Sequence, residues 1–154
     1  MPSSPRTGNH GVVTTDSLRS VFPIDLVPSP PSGLLVIDSP GRGRGVAAAR
    51  AFRRGEVLER APVLLLGREV MANGLRGTRL DDYLFWWDDD HRAIALGWIS
   101  LCNHACPANA AFRLAHAAQL IVLEAASDIG SGEEVTINYH GDPADPAVVW
   151  FPVR

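Results

Sequence analysis

The pattern that most restricts the fold of this chain occurs twice. Ala49-Arg-Ala-Phe52-Arg-Arg-Gly55-Glu56 and Ala126-Ser-Asp-Ile129-Gly-Ser-Gly132-Glu133 share the form A-x-x-apolar-x-x-G-E, offset by 77 residues. Each sets an apolar anchor three residues before a glycine and then runs into β-favouring residues, Val57-Leu58 and Val135-Thr136-Ile137. The glycine permits the positive φ of a tight turn, and the anchor pins that turn to a core. Two such clips at opposite ends of one domain predict a pseudo-symmetric pair of hairpins.

Elsewhere apolar residues come in short runs punctuated by glycine: LLVI (34–37), VLLL (63–66), AIAL (93–96), LIVLEA (120–125) and VTINY (135–139). Runs of this length favour strands over helices. A helix is expected around residues 68–73, with Thr78 capping a second turn ahead of LDDYLFWW. The expected class is therefore mainly β, with several small sheets and short helical insertions. Residues 1–33, rich in Pro, Ser and Gly, predict an extended lead-in, so the folded domain is expected over 34–154.

With 154 residues, 46% of them hydrophobic and 20% charged, the chain has the composition of one globular domain. A net charge of −3 supplies no basic field for a phosphate backbone, and the arginines between 42 and 54 read as a solvated face. Direct nucleic-acid binding is not expected. No apolar run reaches a membrane span and the first residues lack the apolar core of a secretory signal, so the expectation is a cytoplasmic protein with no membrane partner. All 14 basic residues are arginine, which leaves no internal lysine.

Chemistry concentrates in ISLCNHACPANAAF, 99–112. Structural zinc usually takes paired ligands from two separated segments, whereas Cys102, His104, Cys106 and His116 lie in one short stretch, so no metal is expected. A cysteine nucleophile would need a base and an orienting group that sequence does not place. Cys102 and Cys106 are too close in the chain to bridge more than a tiny loop and read as reduced thiols. GRGRG (41–45) lacks the spacing of a dinucleotide fingerprint, but its glycines let backbone groups approach a small ligand closely.

In order along the chain, G-R-G-V (43–46), G-E (55–56), N-H-x-C (103–106) with Asn109, and G-E-E-x-T-x-N-Y (132–139) resemble the SET domain of protein lysine methyltransferases. The resemblance covers roughly 34–151 and is strongest to the short, free-standing bacterial versions, through Tyr83-Leu-Phe85-Trp-Trp87 and the aromatic segment Val149-Trp150-Phe151. It implies a β-clip fold in which the C-terminal strand threads beneath the N-H-x-C loop, a pseudoknot. It also implies S-adenosyl-L-methionine held by the backbone of Gly43, Arg44 and Gly45 and by Asn103 and His104, with Trp150 or Phe151 over the adenine. Tyr139 would stand at the methyl-transfer centre and Tyr83 would line the channel.

The implied partner is a protein presenting a lysine, and the acidic balance suits a basic ribosomal or nucleoid protein. Three departures from the family pattern bear on this: Ala105 in place of a serine, Pro107 one residue early, and Ile137 where an aromatic residue often limits the number of methyls. An aliphatic residue there implies multiple methylation. The alternative is a SET-like interaction module that has lost catalysis.

Overall fold

The computed structural model describes residues 33–147 and 149. Among them run strands β1 (Leu34–Ser39), β2 (Gly43–Ala48), β3 (Val57–Gly67), β4 (Leu84–Trp86), β5 (His91–Ala95), β6 (Asn103–His104), β7 (Ala110–Ala115), β8 (Leu120–Ala125) and β9 (Glu134–Ile137). They form two sheets, ordered β1-β2-β9-β6 and β4-β5-β3-β8-β7, so the expected class is borne out. All five apolar runs form strands, with Leu96, Asn138 and Tyr139 lying just past the ends of β5 and β9. LIVLEA is buried at nearly every position because β8 sits between β3 and β7 in its sheet.

Four strands escaped the sequence reading. Glycines deplete strands, yet GRGVAA forms β2 because its second half, Val46–Ala48, is buried between β1 and β9. β4 and β6 have only three and two residues, too short for any alternation to register, and AAFRLA of β7 lacks an apolar run. The expected helix is a single turn, α1 (Arg68–Val70), continued by a wider turn over Met71–Leu75. Thr78 does not cap: its hydroxyl donates to Leu75 O at 2.7 Å, and the following turn, Asp81–Tyr83, has no side-chain cap. A threonine one turn too early finds a nearer carbonyl instead. The reading of the segment before Gly33 lies outside the described residues.

The repeated clips bind each other. Phe52 and Ile129, each 1% exposed, form an antiparallel bridge in which each N–H donates to the other's carbonyl at 2.9 Å. The flanking backbone bonds of the two clips correspond. Gly55 N–H donates to Ala125 O and Gly132 N–H to Ala48 O; Ala125 N–H returns to Glu56 O and Ala48 N–H to Glu133 O. The two glutamates are equivalent as well: Glu56 Oε2 accepts from Arg53 N–H at 3.1 Å, Glu133 Oε2 from Gly130 N–H at 2.9 Å. Gly55 and Gly132 have φ of 83° and 85°, the left-handed conformation anticipated for both.

The expected pair of hairpins does not form: β2 leads into one turn and β3 out of it, β8 leads into the other and β9 out, and in each case the two strands part into different sheets, so the clip pair joins the sheets. β9 runs antiparallel to β2 and parallel to β6, pairing Asn103 with Thr136 and His104 with Ile137. Beyond β9 the chain turns back, and Ala108 N–H donates to Pro143 O at 2.9 Å. The N-H-x-C loop is thus held by β9 and by the segment that follows it, the knot-like crossing expected for the C-terminus.

Because Phe52 and Ile129 fill one contact, Phe52→Ala is expected to cost about 3–5 kcal/mol and Ile129→Ala about 2–5 kcal/mol in urea unfolding. The double variant should lose measurably less than the two together, since each single change already removes the packing that the paired side chain would have made. Strict additivity would contradict the pairing.

Candidate active site

The site is built where β9 meets β6 and β2. Glu134, the first residue of β9, is its hub: its carboxylate accepts from Asn103 Nδ2 at 2.7 Å, Arg42 Nη2 at 2.6 Å and Ser39 Oγ at 3.1 Å. Charge-assisted bonds of this kind are short and strong, and here they join β1, β6, β9 and the turn before β2. Asn103 Nδ2 also reaches Arg44 O at 3.3 Å, so two of the anticipated cofactor-binding segments touch directly. Gly45 must lack a side chain: a Cβ there would lie 2.5 Å from Glu134 Oε1 and 2.9 Å from Asn103 Nδ2. The Cβ direction at Gly43, by contrast, faces open space. β9 pairs β2 only at Val46 and Ala47, so the Gly43–Gly45 backbone projects beyond that pairing.

One pair further along, His104 is buried and its Nδ1 accepts the Tyr139 N–H at 3.2 Å. The acceptor role leaves the ring proton on Nε2. The two rings meet edge to face, 5.3 Å between centroids. Burial, and then the neighbouring His140, hold the His104 pKa below its ordinary value, so the imidazole is neutral at pH 7. The Tyr139 hydroxyl donates to Cys102 O at 3.1 Å. Burial foremost, with Cys102, Tyr83 and Asp82 adding to it, pushes the phenol up to about 12.

Tyr139 borders a cavity of about 530 Å³ whose wall also includes Tyr83, Phe85, Trp86, Cys102 and Ile137. Both anticipated catalytic tyrosines therefore face one space. Gly43, Arg44, Gly45, Asn103 and His104 do not line it. Trp150 and Phe151 lie outside the described residues. The Cys102 thiol is buried, donates to Trp98 O at 3.9 Å, and is pushed up in pKa by that burial, so it packs and does not react. Among the described residues no group of His, Cys, Asp and Glu is arranged to hold a metal ion.

The loop survives its departures from the family pattern. Ala105 N–H donates to Ile137 O at 3.1 Å, and Asn109 grips β9 from the side, accepting the Thr136 N–H at 2.8 Å and donating to Glu134 O at 2.8 Å. Its amide stands in for a strand backbone along the edge of β9 that β6 is too short to cover. This is how two chain segments cross closely at Asn109.

Sequence reasoning missed three supports. Glu134 carries a signal in hindsight, since in G-E-E the first glutamate closes the clip and the second is free to point elsewhere. Glu59 lay unnoticed in an apolar strand; it is 2% exposed and its two oxygens accept the N–H groups of Trp98 and Ile99 at 3.0 and 2.9 Å, which sets the path into Cys102. Burial raises its pKa despite those bonds. Asn138, 1% exposed, donates to Asp145 O and accepts from His140 N–H, shaping the turn after Tyr139.

The geometry is that of a known class. The chain belongs to the SET domain family, whose profile matches residues 43–140. It is 28% identical over 120 residues, 78% of each chain, to the Schizosaccharomyces pombe histone-lysine N-methyltransferase specific for H3 lysine-37. Its fold is similar to the crystal structure of a candidate histone methyltransferase of Plasmodium falciparum, with a TM-score of 0.56 and 21% identity over 72% of this chain and 94% of that one.

Folded His104 binds a proton less readily than it does unfolded, so its contribution to stability is full above pH 6.5 and declines as pH falls through the lowered folded value. The Tyr139 amide resonance should therefore titrate with a midpoint below 6.5. A midpoint above that would contradict the neutral acceptor.

Proposed function

We propose that this protein is an S-adenosyl-L-methionine-dependent protein lysine N-methyltransferase. The observation that carries the reading is the position of Tyr139, fixed at its N–H by His104 and at its hydroxyl by Cys102 O, on the wall of a cavity it shares with Tyr83. Membership of the SET family and the histone-lysine relative support the reaction class. A basic protein, such as a histone-like, ribosomal or nucleoid protein, is the substrate class that the relative and the acidic balance favour.

The cofactor side rests on the Gly43–Gly45 backbone. A segment held by β1 on one edge that projects past β9 on the other, with open space at Gly43, suits a small ligand with an amino-acid portion. Gly43, Arg44 and Gly45 would hold it through their backbone, with Asn103 and His104 beside them. When bound, the group supplies an electrophilic methyl on a sulfonium.

The chain's own residues then do the work of alignment and proton management. A lysine ammonium has no lone pair to attack with; Asp81 and Asp82 on the cavity wall attract its charged form, and the apolar part of the wall, with Phe85, Phe112 and Ile137, disfavours that charge. Tyr139 does not take that proton: with a pKa of about 12 it stays a neutral phenol. Its own proton is committed to Cys102 O, so its oxygen faces the site as an acceptor that orients amine and methyl in line. Ile137, 1% exposed and without a hydroxyl, offers no anchor for a water that would stop the reaction early, which favours more than one methyl.

Labelled cofactor, the full-length protein and a mixture of purified histones and ribosomal proteins test the reading. Wild type should transfer label to lysine, and Tyr139→Phe should lose about 100-fold or more in rate with cofactor affinity little changed; full turnover in that variant would overturn the role of Tyr139. The rate should climb with pH as the substrate amine deprotonates, with no falling limb below about pH 10 because Tyr139 keeps its proton. A fall beginning near pH 8 would contradict its neutral role.

A further inference from the structure

The half of the five-stranded sheet nearest the cavity is apolar on both faces, and the described residues cover only one of them. Val63–Ala95 and Leu65–Ala93–Phe85 are rungs that belong to the core or pack against it. Strand alternation turns the intervening rungs, Leu64–Ile94–Leu84 and Leu66–Arg92–Trp86, to the opposite side. There Leu64 is 52% and Trp86 59% exposed, and Leu96, whose N–H extends the pairing to Pro62 O, is 60% exposed. Arg92 is the one charged side chain in those two rungs; it stacks 3.7 Å from the Trp86 ring centre and donates to Asp88 O and His91 O. A sheet with one solvated face ordinarily alternates apolar and polar residues. VLLL and AIAL do not; they read as strands meant to be covered on both sides.

Three observations choose the occupant. Leu84, Trp86 and Arg92 line the cavity as well as this face, so whatever covers the face reaches the cavity. Both ends of β4 are bordered by acid, Asp81 and Asp82 before it and Asp88, Asp89 and Asp90 after it. A second copy packed about a two-fold axis would bring acidic border against acidic border, whereas a segment with basic charge around its lysine complements them. Finally, three strands about 4.8 Å apart and about five residues long present roughly 250 Å², far short of the about 800 Å² per partner typical of a stable dimer.

We propose that this outer face is the docking surface for the protein substrate, and that it takes a large apolar side chain about three residues from the target lysine, the extended-chain equivalent of the roughly 10 Å from β4 across β5 to β3. The proposal rests on the lysine methyltransferase reading above.

The test incubates full-length protein and labelled cofactor with a positional-scanning peptide library built around one fixed lysine. Wild type is compared with Leu64→Ser and Leu96→Ser, neither of which touches the cavity; thermal unfolding checks that each folds. Wild type should label peptides carrying Leu, Ile, Phe or Met at one or two offsets at least tenfold above those carrying Ser there. The variants should flatten that preference below threefold while keeping the wild-type rate on Ser-containing peptides. Labelling without apolar preference, or an equal preference in the variants, overturns the docking surface and leaves the methyltransferase reading intact; no labelled lysine in any peptide overturns both. Sedimentation showing a wild-type dimer that the variants dissolve would give the face to a second copy. Loss of hydrogen-exchange protection at residues 1–32 in the variants would give it to this chain's own N-terminal segment. Either result overturns the proposal.

Discussion

The reciprocal bridge between Phe52 and Ile129 is the constraint from which the rest of the molecule follows. It closes two turns that are 77 residues apart in the chain, and each turn launches a strand of a different sheet. Because Gly132 N–H and Glu133 O are both bound to Ala48, β9 has no freedom in where it starts beside β2. Its register then sets everything downstream: Glu134 toward Asn103 and Arg42, Thr136 toward Asn109, and Tyr139 toward His104. Non-local closure of this kind is slow to form but leaves little slack once formed.

The site inherits that rigidity. Tyr139 is fixed at backbone and hydroxyl by two successive elements of the 102–104 segment, and that segment is fixed in turn by Glu59 below it and Glu134 beside it. Two carboxylates with opposite surroundings share this task. Glu59 is desolvated and answers only to backbone amides, while Glu134 sits half-buried among an arginine, an asparagine and a serine. Truncating Glu59 would leave two amides unpaired next to the site, which makes it a positioning residue of a kind that no motif announces.

How much was legible in the sequence follows from what each feature depends on. The clips could be read because a turn glycine and an anchor residue are local requirements; that the two turns pair with each other, and do not close two hairpins, could not, since that depends on where the flanking strands go. LIVLEA was readable because full burial leaves a continuous apolar run. β2 and β6 were not, since one is glycine-rich and the other only two residues long; β6 has only β9, from far along the chain, as its strand partner. Among site residues, the structure sets His104 against Tyr139, Asn103 against Arg44, and Tyr83 on the same cavity as Tyr139. Glu59 and Asn138 stayed hidden because a buried polar side chain is recognised by its partners, which the sequence does not display.

The proposal at the centre of this account is that the Gly43–Gly45 backbone, with Asn103 bonded to Arg44 O, is a cofactor seat. Calorimetric titration of S-adenosyl-L-methionine into the full-length protein tests it most directly. Saturable binding at one molecule per chain, lost in Gly45→Val where the added side chain would collide with Glu134 and Asn103, is the result this account predicts. No binding to the wild type, or undiminished binding to Gly45→Val, would contradict it and leave an interaction module in place of an enzyme.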